Sequence, residues 1–455
     1  MEMPRFSLVV WLRDTNEMFF RDFLESMVSQ NYDAWELYVM DANDGRGFGT
    51  IMSEFFPEDD RVHYRQLKNK KGKAYAYNIG FHFVLTNEAR LSMSKQESGY
   101  LYFVGQHDRL SPDALSRMAL SISEAESRPQ VVYTDHDRLV GVDRMEPHFK
   151  PAFNKELLLH RNYIGAYFAV SCLLARKLGE FQESLIWAPA YDYLLRAMEA
   201  GASFERIPAL LYHERQLPVS DKKAERMQQE QSLKEHMLVA RASLKRRGIA
   251  AEVTQAPDPS YWRIDYHGSD AYGHQREYML LRDPGVRPMS RHNVERMYGY
   301  LRQKDVAVVG ARFIKHGFLM EQCGYLYDSD GSIYPAFYDQ KIYRPTYEQM
   351  ASIPRDVSMV DFRYCMIDAK VYRKLQGLDA TLSGREQMLD FCLRARAAGY
   401  RVVVEPAVLV RSPGKDDEST RSSHEVLLDK WQEVLAKGDP SYNPNLPMGL
   451  NNYRL

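Results

Sequence analysis

Two acids stand where this sequence could do chemistry. Asp41 closes the apolar run Glu36–Met40, and Asp108 follows the run Tyr100–Phe103 after Gly105, Gln106 and His107. Each falls at the carboxyl end of a predicted strand, where open α/β sheets bind their ligands. His107 and Asp108, with His213 far along the chain, offer imidazole and carboxylate groups suited to a transition metal. No spacing rule links the three, and polar surface loops account for them equally well. Lys68, Lys70, Lys71 and Lys73 form a basic run that either holds a phosphate or is a solvated face. Asp135 and Asp137, in YTDHDRL, either line a cleft or belong to a solvated turn. Asp192 lies early in a predicted helix, where an acid favours the N-terminus whether or not it does chemistry.

These groups need a sheet to hold them. Phe6–Leu12 (FSLVVWL) is a continuous apolar run, the mark of a strand covered on both faces. Glu17–Ser29 carries Phe19, Phe20, Phe23, Leu24, Met27 and Val28 at helical spacing. Val62–Tyr64 reads as a short strand, Gly72–Val84 as a helix and Val131–Thr134 as a further strand. Ser111-Pro112-Asp113 reads as a helix start, with Ser111 as N-cap and Pro112 at the first helical position. Alternating strands and helices predict a parallel, doubly wound sheet. Met145–Tyr167 reads as an aromatic loop, Ala190–Glu199 as a helix closed by Gly201, Ile207–His213 as a strand, and Lys222–Arg247 as a long helix. Gln255–Gly273, rich in Pro, Tyr, Asp and Gly, reads as a linker.

At 455 residues the chain is long for one domain, and 45% hydrophobic residues suffice for more than one core. Sixty basic against 61 acidic side chains leave a charge of −1, so nothing draws it globally to nucleic acid. Cys172, Cys323, Cys365 and Cys392 are widely spaced and read as buried thiols. MEMPRF lacks the features of a signal peptide, and no apolar run approaches the ~18 residues of a membrane span. The expectation is a cytoplasmic protein, with peripheral attachment at the inner face of the membrane left open. The second half echoes the first: AYDYLLRAMEAGASFERIPALLYHER, from Ala190, returns as MLDFCLRARAAGYRVVVEPAVLVRSP, from Met388. Asp192 matches Asp390, Arg196 matches Arg394 and Gly201 matches Gly399 at one constant offset. Tyr100–Met118 is likewise echoed by Tyr278–Met297. Too few residues precede Tyr278 for a full copy, so the second is expected to be truncated.

Six pieces carry a family resemblance: FSLVVWLRDTNEMFFRDFLESMVSQNYDAWELYVMDAND, GKAYAYNIG, YTDHDRL, PHFKPAFNKELLLHRNYIG, IPALLYHER and the tail piece DPSYNPNL. In this order and spacing the chain resembles the bacterial family 2 glycosyltransferases, particularly tandem ones that build cell-surface polysaccharides. The resemblance implies an α/β fold: a GT-A (Rossmann-like) nucleotide-sugar domain at 1–220, followed by a truncated second GT-A-like copy at 275–412. Residues 221–274 would connect the two, and 413–455 would form a helical tail. It implies a nucleotide-sugar donor, UDP- or dTDP-linked, a glycan or lipid-linked acceptor, and a protein partner as a further role for the second copy. Asp41 would bind the nucleotide base, with Arg13, Asn78, Gly80, Lys73, His107 and Asp108 completing the nucleotide-sugar site.

The chain departs from the family at the chemistry. Where the family's Asp-x-Asp loop holds Mn²⁺ or Mg²⁺ against the diphosphate, this chain has Gly105-Gln106-His107-Asp108, and only the last acid remains. The family's general base falls on Ala190, leaving Asp192 next but one, or an acid from Asp135 and Asp137. In the second copy the matching positions are Arg282-Asp283-Pro284-Gly285 and Met388. Two readings follow. Either a metal is rebuilt on Asp108, His107 and His213, or Arg13, Lys70, Lys71 and Lys73 meet the diphosphate without one. A catalytically inactive pseudo-glycosyltransferase that binds a glycan or a partner is the alternative from a different class.

Overall fold

The computed structural model describes residues 2–44, 47–69, 71–218, 221–266, 276–413 and 420–454. Two compact units form: 1–150 with 162–243, and 151–161 with 244–455. Lys70, part of the basic run, and 267–273 of the expected linker lie outside the described residues.

In the first unit β1 (Arg5–Leu12) is buried along nearly its whole length, as a run apolar at successive positions requires. Helix α1 (Glu17–Val28) begins at Asn16, whose side chain accepts the Phe19 N–H, and buries Phe20, Phe23, Leu24 and Met27. Then come β2 (Trp35–Asp41), α2 (Gly49–Phe55), β3 (Val62–Gln66) and α3 (Lys73–Glu88). Gly80 lets α3 lie close on β1: a Cβ there would meet Val9 Cγ1 at 2.4 Å. After α4 (Met93–Glu97), β4 (Gly99–Val104) leads through the Gly105–Asp108 loop to β5 (Arg109–Leu110) and α5 (Ala114–Glu124). Strand β6 (Val131–Val140) turns back into β7 (Asp143–His148), and α6 (Lys155–His160) belongs to the second unit. Strand β8 (Phe168–Ser171), α7 (Cys172–Leu178), α8 (Pro189–Glu199), β9 (Phe204–Arg215) and α9 (Lys222–Arg246) follow.

The sheet runs β3-β2-β1-β4-β8-β6-β9-β5, with β7 paired to β6. Six of its strands, β3, β2, β1, β4, β6 and β9, run in one sense; β8 runs antiparallel to β4 and β6, β5 antiparallel to β9, and β7 antiparallel to β6. The parallel expectation therefore holds for most of the sheet, which β8, β5 and β7 make mixed. Three local expectations are corrected as well. YTDHDRL is strand rather than turn, because β6 pairs along this stretch with β9 on one edge and β7 on the other. The 145–167 stretch contains the end of β7 and all of α6. The helix after β5 starts at Ala114, not Pro112, because the Ser111 hydroxyl is spent on Leu210 O and His213 instead of capping.

The second unit begins with the hairpin β10 (Glu252–Gln255) and β11 (Trp262–Asp265), whose second strand, with buried Trp262 and Ile264, lies inside the expected linker. It continues with β12 (Tyr278–Arg282), β13 (Arg287–Pro288), α10 (Asn293–Leu301), β14 (Val306–Lys315), β15 (Leu319–Gln322), β16 (Tyr325–Tyr327) and β17 (Ile333–Pro335). Last come β18 (Arg355–Asp356), β19 (Tyr364–Asp368), α11 (Ala369–Lys374), α12 (Gly384–Ala397), β20 (Arg401–Arg411) and α13 (Arg421–Leu435). Its main sheet runs β12-β19-β14-β20-β13, with β15 paired to β14. Strand for strand and sense for sense, this is the order β4-β8-β6-β9-β5 with its β7 hairpin. The β5 and β13 pairings set Arg109 against Arg287, so Asp283 rather than Arg282 stands at the step of Gly105.

The repeated acids and arginines build one device twice. Arg196 Nε donates to Asp192 Oδ2 (2.8 Å), and its other nitrogens donate to the carbonyls of Leu178 and Glu180. Arg394 Nε donates to Asp390 Oδ2 (2.8 Å), and its other nitrogens donate to the carbonyls of Leu375 and Gly377. Each arginine thus ties its helix to the end of the preceding one. No helix among the described residues is long and apolar enough to cross a membrane.

The second unit is centred on Arg401. Its guanidinium donates to Glu156 (2.9 Å), Asp356 (2.9 Å), Asp305 (2.9 and 3.1 Å) and Gln303 (2.8 Å). Burial alone would raise the Glu156 pKa, but His160 and Arg401 hold it down at about 2. Arg401→Met removes the cation that Glu156, Asp356 and Asp305 share, leaving Lys155 on Asp305 and His160 on Glu156, and is expected to cost about 3–5 kcal/mol in urea unfolding. A loss below about 1 kcal/mol would show that the hub does not hold this unit together.

Candidate functional site

The carboxyl ends of β1, β2 and β4 are stitched into one rim. Leu12 pairs with Asp41, and Val10 with Val104, so the loops that follow emerge side by side. Gln106 Oε1 accepts the Arg13 N–H (3.1 Å) and the Thr15 hydroxyl (2.6 Å), while its amide donates to Arg13 O (2.9 Å). Asn43 closes the triangle: its Oδ1 accepts the Thr15 N–H (3.1 Å), and its amide donates to Thr15 Oγ1 (2.9 Å). His107 Nε2 accepts the Asn16 N–H (3.1 Å), and the ring meets Phe19 edge-on at 5.8 Å. Burial, helped by the Arg215 charge, lowers the His107 pKa, in keeping with a neutral acceptor ring.

Asp41 is fully buried, and four donors converge on its carboxylate. Oδ1 accepts from the Asn43 N–H (2.8 Å) and amide (2.9 Å), and Oδ2 from the Phe48 N–H (3.0 Å) and the Tyr64 hydroxyl (2.5 Å). A carboxylate has about four lone-pair sites, so this one is saturated as it stands. Asn78 clamps the backbone of Phe181 from both sides, at 3.0 and 2.9 Å, and Gly80 serves helix packing. Arg13, at the end of β1, keeps its side chain 40% exposed.

Asp108 lies deeper, in a pocket of tyrosines. Its Oδ2 accepts the Tyr212 hydroxyl (2.6 Å) and its Oδ1 the Arg215 N–H (2.9 Å). Tyr212 also receives the Gly105 N–H (2.8 Å) and stacks on Tyr167 at 4.1 Å. Burial, reinforced by the charge of Glu214, pushes the Asp108 pKa up to about 6 against the pull of its donors. Burial works against the Lys73 ammonium, but Tyr77, Asp108 and Glu214 together hold its pKa above the ordinary lysine value. Lys73 stands at the first position of α3, over the Tyr77 ring at 5.2 Å.

The remaining acids face other partners. Asp137 bridges His213 Nδ1 (2.6 Å) and Arg144 Nε (2.7 Å); burial would raise its pKa, but these two hold it below the ordinary value. His213 Nε2 meets the Ser111 hydroxyl at 3.0 Å. Asp135 Oδ1 accepts the Lys150 N–H (2.8 Å), and Asp192 is the clamp already described. His107, Asp108 and His213 therefore turn to separate partners. Among the described residues no group of three His, Cys, Asp or Glu side chains could hold a metal ion. The donor set of the Gly105–Asp108 loop does not fit the divalent cation that its family position implies. The Gln106 amide oxygen, the His107 Nε2 and both Asp108 oxygens accept from protein donors.

Sequence reasoning missed Tyr64 and Asn43 at Asp41, and Tyr167, Tyr212, Glu214 and Arg215 at Asp108. YHER carried a signal, since it ends a strand, but nothing in it shows that β9 pairs with β5 and so reaches the loop after β4.

Residues 13–177 match the family model for "Glycosyl transferase family 2". The chain is 30% identical over 276 residues to the O-antigen biosynthesis protein RfbC of Myxococcus xanthus, an alignment covering 58% of this chain and 20% of that protein. It is 28% identical over 223 residues to the uncharacterized protein y4gI of Sinorhizobium fredii (strain NBRC 101917 / NGR234), covering 48% and 23%. It thus spans only about a fifth of the length of these curated relatives. Among solved structures it is similar to S. aureus TarS 1-349 in complex with UDP-GlcNAc, at 16% identity and a TM-score of 0.40, covering 53% of this chain and 66% of that one. GalNAc-T7 with UDP, GalNAc and Mn2+ is similar at 12% identity and a TM-score of 0.37, covering 47% and 44%.

The Asp108 environment sets a pH dependence. A carboxyl pKa raised by folding contributes stability that is fully present below the unfolded value of about 3.9 and is lost as pH rises through about 6. Relative to Asp108→Asn, the wild type should therefore lose on the order of 3 kcal/mol between pH 4 and pH 7.5, read as a fall in its unfolding midpoint. Parallel curves for the two proteins would show that Asp108 titrates normally.

Proposed function

We propose that the chain, whose residues 13–177 match the family model for glycosyl transferase family 2, transfers a sugar from a nucleotide-sugar donor, UDP- or dTDP-linked, to a glycan or lipid-linked acceptor. The setting proposed is surface polysaccharide assembly, a reading supported by the name of the Myxococcus xanthus relative, with the protein in the cytoplasm. The observation that carries the proposal is the rim itself: the loops after β1, β2 and β4 and the start of α3 meet where a nucleotide site on such a sheet belongs. In this reading Arg13 and Lys73, with the exposed Lys71, meet the diphosphate in place of a metal. Asp41 contributes by fixing the loop through Phe48, on which the base would rest.

The second unit is proposed to be a truncated copy that no longer binds a donor. Its sheet begins at β12, and the registers of β8 and β19 make Arg363 the counterpart of Ala166. Where the first unit has that small side chain, Arg363 donates to Asp361 (2.6 Å), Glu321 (2.6 Å) and Ser412 (2.9 Å). A glycan- or protein-binding role suits such a filled site. One observation favours the inactive alternative for the whole chain: the Asp41 carboxylate has no acceptor site to spare.

Titration calorimetry with UDP, dTDP and their sugars, in EDTA and again with Mn²⁺, tests the proposal. Binding is expected to be equal in both buffers and at least tenfold weaker in Lys73→Ala. Binding that appears only with Mn²⁺ would contradict the metal-free site. No binding by any nucleotide would contradict the transferase reading.

A further inference from the structure

An inverting transfer needs a base, and the position that the family resemblance assigns to it holds Ala190, which has no proton acceptor in its side chain. We propose that Glu214 takes the acceptor's proton instead, an inference that rests on the transferase reading above.

Asp108, Asp135, Asp137 and Asp192 are all buried, at 4%, 0%, 2% and 1% exposure. Each is held at short range by its own donor: Tyr212 and Arg215, Lys150, His213 and Arg144, or Arg196. A carboxylate in that condition cannot meet an incoming hydroxyl without first losing a partner. Glu214 differs on both counts. It is only partly buried, and its one hydrogen bond is a long one from the Tyr167 hydroxyl to Oε1, at 3.4 Å. Most of its acceptor capacity is therefore open.

Its position is equally specific. Residues two apart on a strand share a face, so Glu214 stands on the face of Tyr212, whose hydroxyl holds Asp108. His213, between them, faces the other way toward Asp137. Tyr167 links Glu214 to this site, its hydroxyl meeting Glu214 and its ring stacking on Tyr212, whose hydroxyl holds Asp108, and the charge of Glu214 acts on Asp108 and Lys73. A base and the cation that meets the leaving group are thus close neighbours beside the loop after β4.

The step balances with the groups named. The acceptor O–H bond breaks and its proton passes to a Glu214 carboxylate oxygen. The freed oxygen lone pair forms the bond to the anomeric carbon. The bond from that carbon to the phosphate oxygen breaks, and its electron pair leaves with the nucleoside diphosphate, beside the Lys73 ammonium.

The experiment uses the full chain and water as the acceptor, which removes the need to know the natural one. UDP-glucose, UDP-galactose, UDP-GlcNAc, UDP-GalNAc and dTDP-rhamnose are supplied in turn, and release of nucleoside diphosphate is followed from pH 5 to pH 9. Glu214→Gln is expected to bind the donor within twofold of the wild type but to release product at least 100-fold more slowly, without the wild type's fall in rate on the acid side. Glu214→Asp should recover part of the rate. Equal unfolding midpoints for wild type and both variants will show that the fold is intact. A Glu214→Gln protein that binds donor and turns over within threefold of the wild type overturns the assignment and leaves the transferase reading standing. A wild type that binds no donor overturns that reading, and the assignment falls with it.

Discussion

The first unit depends on a carboxylate that is not free to act. Asp108 is buried where ionisation is costly, and it stays bound because Tyr212 and the Arg215 backbone converge on it. That contact joins the loop after β4 to the far end of β9, two strands that are not neighbours in the sheet. With the loop fixed at Asp108, Gln106 and His107 are held against the β1–α1 connection, and Thr15 and Asn43 carry the order on to Asp41. The rim is thus one hydrogen-bonded body. In this arrangement the polar atoms of the loop are engaged in internal bonding, and in the proposed function the positive charge for a diphosphate comes from Lys73 and Arg13.

The second unit has the same strand order and the same arginine clamp but a different centre. At that centre Arg401 meets three acids, and the counterpart of the first unit's small Ala166 is a paired arginine. Breaking such a buried cluster is expensive because each partner left behind is an uncompensated charge.

Much of the framework was legible in the residues. Runs such as FSLVVWL and YLYF announce buried strands, and the spacing of Phe20, Phe23, Leu24 and Met27 announces a helix face. The repeat was legible too, and so was the one-turn spacing of Asp192 and Arg196, but not that Arg196 also reaches the carbonyls of Leu178 and Glu180 to make a clamp. What was hidden depended on pairing between distant segments. YTDHDRL looks like a turn until β9 and β7 flank it, and Ser111 looks like a cap until His213 arrives. The saturation of Asp41 and the openness of Glu214 are properties of neighbours contributed by other strands and loops.

The most direct test of a metal-free donor site is a crystal structure of the chain with UDP, grown in EDTA. The account predicts the diphosphate between Arg13 and Lys73, with Gln106 still bonded to Arg13 and Thr15, and His107 to Asn16. A diphosphate seated elsewhere, or one ordered only when a divalent cation is added and the Gly105–Asp108 loop has opened to bind it, would contradict the account.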